Sequence, residues 1–472
     1  MNSAQLDVES QIASGNELIA RALERTGTTK VVSFGYGVAA TFGELLTQQH
    51  GPVTVVFVAD ETTWSVAQGA VTQAVTSANI PQADPIILPA TPRPYAAIDL
   101  VDRVRAELEL RADALPIAVG SGTINDAVKL ASDQLSRPYW VVGTAPSMDG
   151  YTAAGASISK DGFKQNIPCA APVGVVMDLD ILATAPQIMW ASGFGDMIGK
   201  ISALADWRVA EAMGAEGIDQ DIWDMSARSV VAALADPAGV GNRDVNALPS
   251  LAVGLLMSGL AIQAYNSSRP GSGAEHMFSH LWEMEHVGLD YDPPLSHGAK
   301  VGVGSVLVAA FYDQLLELDL TQIDIDSLVA AWPSLEEALA EADGLHGDSP
   351  LRNVAHSQLP AKYPDRELLR ERLDSVRRVW PSLRAELRDL MRPADEIREN
   401  LTAAHGYNHP SQLQLSKERI VKDFLRLRTS RNRYTSFDLA AETGVLSGIV
   451  DSLLGPHGTI ATWPQGRSGS NE

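Results

Sequence analysis

The stretch LPIAVGSGTINDAVKLA (115–131) runs from an apolar, β-branched segment through a glycine turn into a helical pattern. Glycine lets the backbone approach a ligand closely, and the free amides and dipole at a helix start favour an anion there. The spacing is not the usual G-x-G-x-x-G, so a plain strand-to-helix turn capped by Thr123 or Asn125 is the competing reading.

Working outward, the same alternation repeats. KVVSFGYG (30–37), VTVVFVAD (53–60), PIILPA (85–90) and RPYWVVGTAP (137–146) read as further strands, with helical stretches over 39–49, 95–110 and 125–135. Continuous apolar strands alternating with helices predict a parallel sheet covered on both faces, with ligands at the carboxyl ends of the strands. Asp60 ends the second strand, where a carboxylate can accept from a ribose or cap the helix that follows. The loop GTAPSMDGYTAAG (143–155) offers Thr144, Ser147 and Asp149, residue types that ordinary loops share.

From about Pro186 the pattern becomes long 3.6-residue periods: MWASGFGDMIGKISALADWRVAEAM, PSLAVGLLMSGLAIQAYN and GVGSVLVAAFYDQLLEL. The expected fold is an α/β N-terminal domain with a Rossmann-like parallel sheet (1–185), followed by an all-α helical domain with a charged helical tail (186–472). Arginines in 364–400 are matched by interleaved acids, which predicts solvated faces laced with ion pairs. GLHGDSPL (344–351) and the terminal WPQGRSGSNE are expected to be flexible.

Composition narrows the chemistry. The formal charge of −22 over 472 residues repels phosphate backbones and anionic headgroups, so neither nucleic acid nor membrane is an expected partner. No apolar run of about 20 residues is apparent. Cys169 is the only cysteine, which excludes an intramolecular disulfide and a thiolate zinc cage; with no secretory pattern at the start, a reducing, cytoplasmic compartment is expected. Any metal must therefore sit on His, Asp or Glu.

GAEHMFSHLWEMEH (273–286) supplies such groups. His276 and His280 are four apart and share a helix face. LSHGAKVGVG (295–304) adds His297, and SGFGDMIGK (192–200) adds Asp196 among small residues expected to leave room around its carboxylate. Two imidazoles and one carboxylate leave coordination positions open for a substrate oxygen, but spacing does not choose which two histidines bind. His286, His346, His405 and His409 carry no such context and read as ordinary histidines.

Taken in order, GSGTINDAVK, TAPSMDGYT, GFKQNIPCAAPVGVVMDLDIL, ASGFGDMIGK, GSGAEHMFSH and LSHGAKVG resemble the sn-glycerol-1-phosphate dehydrogenases of the iron-containing alcohol dehydrogenase and dehydroquinate synthase-like superfamily. The later stretch LRTSRNRYTSFDLAAETGVL (427–446) resembles the longer-tailed bacterial branch. The resemblance implies a divalent metal (Ni, Zn or Fe) on Asp196, His276 and His297, with His280 and Asp149 facing the substrate. It implies that Gly122, Thr123, Ile124, Asn125 and Asp126 hold the pyrophosphate of NAD or NADP, that Thr144 and Ser147 make further cofactor contacts, and that Asp60 meets the ribose, which favours NAD. Ala153 replaces a serine common in the family, removing one hydrogen bond worth roughly 0.5–1.5 kcal/mol.

The implied reaction reduces dihydroxyacetone phosphate to sn-glycerol 1-phosphate in a homodimer serving lipid headgroup supply or secondary metabolism. Lys200 and Lys164 are candidates for the substrate phosphate. Alternatives are the same chemistry on another phosphorylated or phosphonate ketone, and a sugar-phosphate cyclase, which would want glutamate at position 196.

Overall fold

The computed structural model describes residues 8–160, 163–455 and 458–462, so the terminal WPQGRSGSNE lies outside the described residues. The chain forms two compact units. One takes residues up to Met197, Arg228–Ser268 and Ala403–His405; the other takes Ile198–Ala227, Arg269–Thr402 and the residues from Gly406 onward.

The first unit holds a six-stranded, all-parallel sheet: β1 (Val31–Gly35), β2 (Thr54–Asp60), β3 (Ile86–Leu88), β4 (Ala114–Gly120), β5 (Trp140–Gly143) and β8 (Gly174–Asp178). The spatial order is β1-β8-β5-β4-β2-β3, and an antiparallel hairpin, β6 (Ala156–Lys160) with β7 (Phe163–Ile167), interrupts the alternation. The five strands read from the sequence are all present. The sixth, GVVMD, sits between β1 and β5 and was hidden inside a stretch read only for its resemblance.

Burial explains the continuous apolar strands. Val55, Phe57, Ile117, Val119 and Val142 join one core with Phe42, Leu46, Ala67 and Val71 of α2 (Phe42–His50) and α3 (Glu61–Ser77). Their alternates Val56, Val58, Ala118 and Val141 are equally buried, so both faces are covered. The chain steps outward from β2 to β3, returns past β2 to β4, and then moves the other way to β5. The order therefore reverses between β2 and β4, and the crevice outside their carboxyl ends is the switch point where such sheets bind ligands.

An N-terminal helix, α1 (Val8–Leu23), follows α2-like logic: Gly15, Ile19 and Ala22 form its buried face. Three more helices, α4 (Ile98–Glu109), α5 (Gly122–Gln134) and α6 (Leu179–Ala183), lead to the long α7 (Gln187–Ala212). After α8 (Gln220–Ala233) and α9 (Pro237–Gly241), α10 (Leu248–Tyr265) packs against α1. This last helix corrects the expectation of no membrane-length segment: by length and composition it could cross a bilayer, with a mean hydropathy of 1.5, but 72% of it is buried in the fold. An all-round apolar helix is what a buried core position requires.

The second unit is helical, with α11 (Ala274–Met284) packed on α12 (His297–Leu315). Phe278 and Phe311 from these helices meet Phe424 and Phe437 from the tail, Phe311 and Phe437 stacking at 4.1 Å. The arginine-rich helix Arg366–Leu390 has exposed pairs such as Arg370–Asp326, as expected. It departs from expectation at Arg372, which is buried and bound to Glu442 at 2.7 Å. The 344–351 loop is also shorter than expected. His346 ends one helix and Leu351 begins the next, both side chains buried.

Candidate functional site

At the switch point, β4 ends at Gly120 and α5 begins at Gly122. The N-cap is Ser121, not Thr123 or Asn125, and its hydroxyl makes no capping bond; it lies 2.7 Å from the hydroxyl of Ser147. The first amides of α5 thus have no side-chain cap. Gly122 and Thr123 are half-buried, whereas Ile124 and Asn125 point inward. The Asn125 side chain donates to the Gly150 carbonyl (3.1 Å) and accepts from the Tyr139 hydroxyl (3.2 Å), and Asp126 accepts from the Ser157 amide (3.1 Å). Those two side chains are committed to holding neighbouring loops.

Asp60, at the end of β2, caps α3: its carboxylate accepts from the Thr63 amide at 2.9 Å, and the Thr63 hydroxyl accepts from the Asp60 amide. Thr144 is buried with its amide donating to the Gly120 carbonyl, which ties the loop after β5 to the end of β4. The Ser147 carbonyl accepts from Ser192 of α7 at 2.9 Å.

Asp196 is fully buried on α7. The small residues around it, expected from sequence to leave room around the carboxylate, admit close neighbours at Gly193 and Gly199. A side chain at Gly193 would lie 1.9 Å from the Pro146 carbonyl, and one at Gly199 would meet Val301 at 2.7 Å and Glu275 at 3.0 Å. Asp196 Oδ2 accepts from the Asp149 amide at 2.9 Å, and the Asp149 carboxylate accepts from the Ser258 hydroxyl at 2.7 Å.

Ligand atoms of Asp196, His276 and His297 all lie within 4.8 Å of one another. They come from α7, α11 and the first residue of α12. His280 completes a triangle of rings, its centroid 6.2 Å from His276 and 6.0 Å from His297. Sequence reasoning missed the carboxylates behind these rings. His276 Nδ1 lies 2.7 Å from Glu275 Oε1, and His297 Nδ1 lies 2.9 Å from Glu283 Oε1. With Nδ1 so engaged, Nε2 of each ring is the nitrogen left to face an ion, the usual arrangement behind a metal-bound imidazole. The signal was present: each glutamate lies within three residues of a histidine in the same quoted stretch.

Burial pushes the Glu275 carboxyl up, but the His276 hydrogen bond and charge, the Gly273 amide and the Ser202 hydroxyl outweigh it and hold it below the usual range. Burial, then the Arg431 guanidinium, push the His280 imidazole well below its ordinary value against the pull of Glu283.

Two cations were also missed. Lys129, buried on α5, donates to the Gly150, Ala153 and Gly155 carbonyls at 3.0 Å each, clamping the loop that carries Asp149. Arg431 donates to the Ser272 hydroxyl at 3.1 Å, just ahead of α11. Of the lysines singled out by sequence, Lys200 is buried one turn after Asp196, and Lys164 is half-buried on β7.

Residues 33–186 match the family described as iron-containing alcohol dehydrogenase. A glycerol-1-phosphate dehydrogenase [NAD(P)+] of Halalkalibacterium halodurans is 38% identical over 42% of this chain and 49% of its own length. The chain spans about half the length of this and another curated relative. The match to a glycerol-1-phosphate dehydrogenase [NAD(P)+] of Geobacillus thermodenitrificans extends further, at 31% identity over 70% of this chain and 72% of the relative. Among solved structures, a probable glycerol dehydrogenase of Sinorhizobium meliloti shares the fold, with a TM-score of 0.58 and 12% identity over 91% of this chain and 99% of that one. On the matches that cover two thirds or more of a relative, the chain belongs to the glycerol-1-phosphate dehydrogenase family.

Proposed function

We propose that this chain is a metal-dependent, NAD(P)H-linked dehydrogenase interconverting dihydroxyacetone phosphate and sn-glycerol 1-phosphate by hydride transfer. The observation that carries this reading is the grouping of Asp196, His276 and His297 with ligand atoms within 4.8 Å. One carboxylate and two imidazoles suit a first-row divalent ion, nickel, zinc or iron, and the fit is supported by Glu275 and Glu283 engaging Nδ1 of the two rings. When bound, the ion supplies Lewis acidity toward a carbonyl oxygen and the nicotinamide supplies the hydride.

The residues of the chain do the positioning. Residues 1–185 form the dinucleotide-binding part in this reading, and 186–472 the helical part that holds metal and substrate. Gly122, Thr123 and Ile124 offer main-chain amides to a pyrophosphate at the uncapped start of α5, whereas the Asn125 amide already donates to the Ser121 carbonyl at 3.0 Å and the Asn125 and Asp126 side chains hold neighbouring loops, so these two border the anion by shaping its loop. Thr144 and Ser147 border that start, and Asp60 accepts from a ribose hydroxyl with the oxygen not used for capping, which favours NAD over NADP. Asp149, fixed by Ser258, and His280 orient the substrate hydroxyls or relay to the alkoxide the proton that the alcohol product takes up from solvent. The same reading takes the working form as a cytoplasmic homodimer.

The test is NADH oxidation with dihydroxyacetone phosphate, with and without chelator. Loss of absorbance that disappears on chelation and returns with divalent metal supports the reading, and Asp196→Ala or His276→Ala should lose metal and activity together while exposed His286→Ala keeps both. No oxidation with this ketone, but turnover of a related phosphorylated or phosphonate ketone, would transfer the chemistry to that substrate. Phosphate release without net NADH oxidation would indicate a cyclase instead.

A further inference from the structure

Resting on that reading, we infer that Arg431, carried in by the C-terminal tail, receives the phosphate of the ketone substrate beside the histidine cluster.

Arg431 follows the helix Lys417–Ser430 and turns the chain into an extended segment. That segment is pinned on several sides. Arg269 donates to the Tyr434 carbonyl at 3.1 Å, Lys362 to the Arg433 carbonyl at 2.9 Å, and the Tyr434 hydroxyl to Glu442 at 2.8 Å. Arg431 and Arg433 both donate to Ser272, one to its hydroxyl and one to its carbonyl. Ser272 lies four residues before His276, so the clamp fixes Arg431 at the entrance to the helix that bears His276 and His280.

The charges around it agree. Arg431 feels Glu275 and Glu283, the carboxylates behind His276 and His297, and it is the strongest charge acting on His280. Both carboxylates favour its charge, but among the described residues neither forms an ion pair with it: Glu275 hydrogen-bonds with His276, Gly273 and Ser202, and Glu283 with His297. Among the described residues Arg431 makes a single hydrogen bond, to Ser272, so most of its planar fork of N–H donors is unspent. Burial, then the Arg431 and Arg269 charges, push the neighbouring Arg433 guanidinium well below its ordinary value. A half-buried guanidinium with spare donors, tied by Ser272 to the start of the helix that carries His276 and His280, matches the bidentate demand of a phosphate.

The same chemistry could serve a cofactor phosphate, so the experiment separates the two. Full-length, metal-loaded protein is compared with Arg431→Gln, Arg431→Lys and the exposed neighbour Asn432→Ala. The KM for dihydroxyacetone phosphate, the KM for NADH and kcat are measured, together with the rise in melting temperature that inorganic phosphate produces under saturating NADH. Expected for Arg431→Gln is a ketone KM raised roughly ten- to hundredfold, with kcat and the NADH KM nearly unchanged and the phosphate-induced rise lost. Arg431→Lys, which keeps the charge and loses the fork, should fall between, and Asn432→Ala should match the parent.

A ketone KM unchanged in Arg431→Gln, or a shift confined to the NADH KM, overturns the inference while leaving the proposed reaction standing. Failure of the parent to reduce this ketone sinks the proposed reaction alone. The phosphate-induced rise then decides by itself: retained in Arg431→Gln it overturns the inference, lost it supports it. Should Arg431→Gln fail to fold, a parental ketone KM and phosphate response in Arg431→Lys overturns it.

Discussion

Nδ1 of His276 lies 2.7 Å from Oε1 of its own chain neighbour Glu275, a carboxylate with no exposure to solvent. The pair fixes both the ring orientation and the nitrogen available to an ion. Glu275→Gln keeps the shape and removes the charge, so metal affinity should fall about 10- to 100-fold while far-UV circular dichroism stays parental. Chelator competition followed by metal analysis checks this, and unchanged affinity would remove Glu275 from the site.

Lys129 joins three carbonyls of the 150–155 loop. Lys129→Met fills the same space and strands all three, so unfolding should become easier by roughly 2–4 kcal/mol, read from urea denaturation. A cost below about 0.5 kcal/mol would show that water replaces the amine without loss.

Arg372 and Glu442 form a buried pair to which the Tyr434 hydroxyl also donates. Arg372→Met leaves a desolvated carboxylate and should cost about 3–5 kcal/mol. Adding Glu442→Gln removes the charge and keeps an acceptor for Tyr434, and so should recover part of that loss in a thermal melt.

Burial, followed by the Arg426 and Lys422 charges, pushes the His346 imidazole down to about 4. Its Nδ1 accepts from Arg426 Nε at 3.2 Å, which leaves Nε2 to donate to the Thr429 hydroxyl at 2.7 Å. The folded form binds a proton more weakly than the unfolded chain, so the contribution is complete above the ordinary value of 6.5 and is lost as pH falls from 6.5 toward about 4. His346→Gln should flatten that portion of the stability–pH curve; an equal slope in both proteins would contradict the assignment.

How far the sequence could be read depended on whether the signal was local. β2 and β4 announce themselves because strands buried on both faces are apolar throughout. His276 and His280 declare a shared face through helical spacing alone. By contrast, β8 is a short apolar run whose strand identity comes from pairing with β1 and β5, and nothing within GVVMD reports that. Asp196 meets His276 and His297 only through packing of three helices, so spacing left the choice among histidines open and the resemblance had to supply it. Arg372 looked like a member of the solvated charge pattern of 364–400, since an arginine that will be buried is composed no differently from one that will not, and Arg431 stood in a stretch read only for its resemblance.

The pairing of β1 with β8 joins Val31 to Gly174 and leaves β1 at the rim of the sheet, with β8 as its one strand partner among the described residues. On the ribosome β1 therefore emerges long before its partner and waits as an unpaired apolar edge, a species prone to sticking to other nascent chains. Closing that gap is a slow, non-local step, so the yield of soluble protein should depend on chaperone supply and growth temperature more than on the stability of the finished molecule.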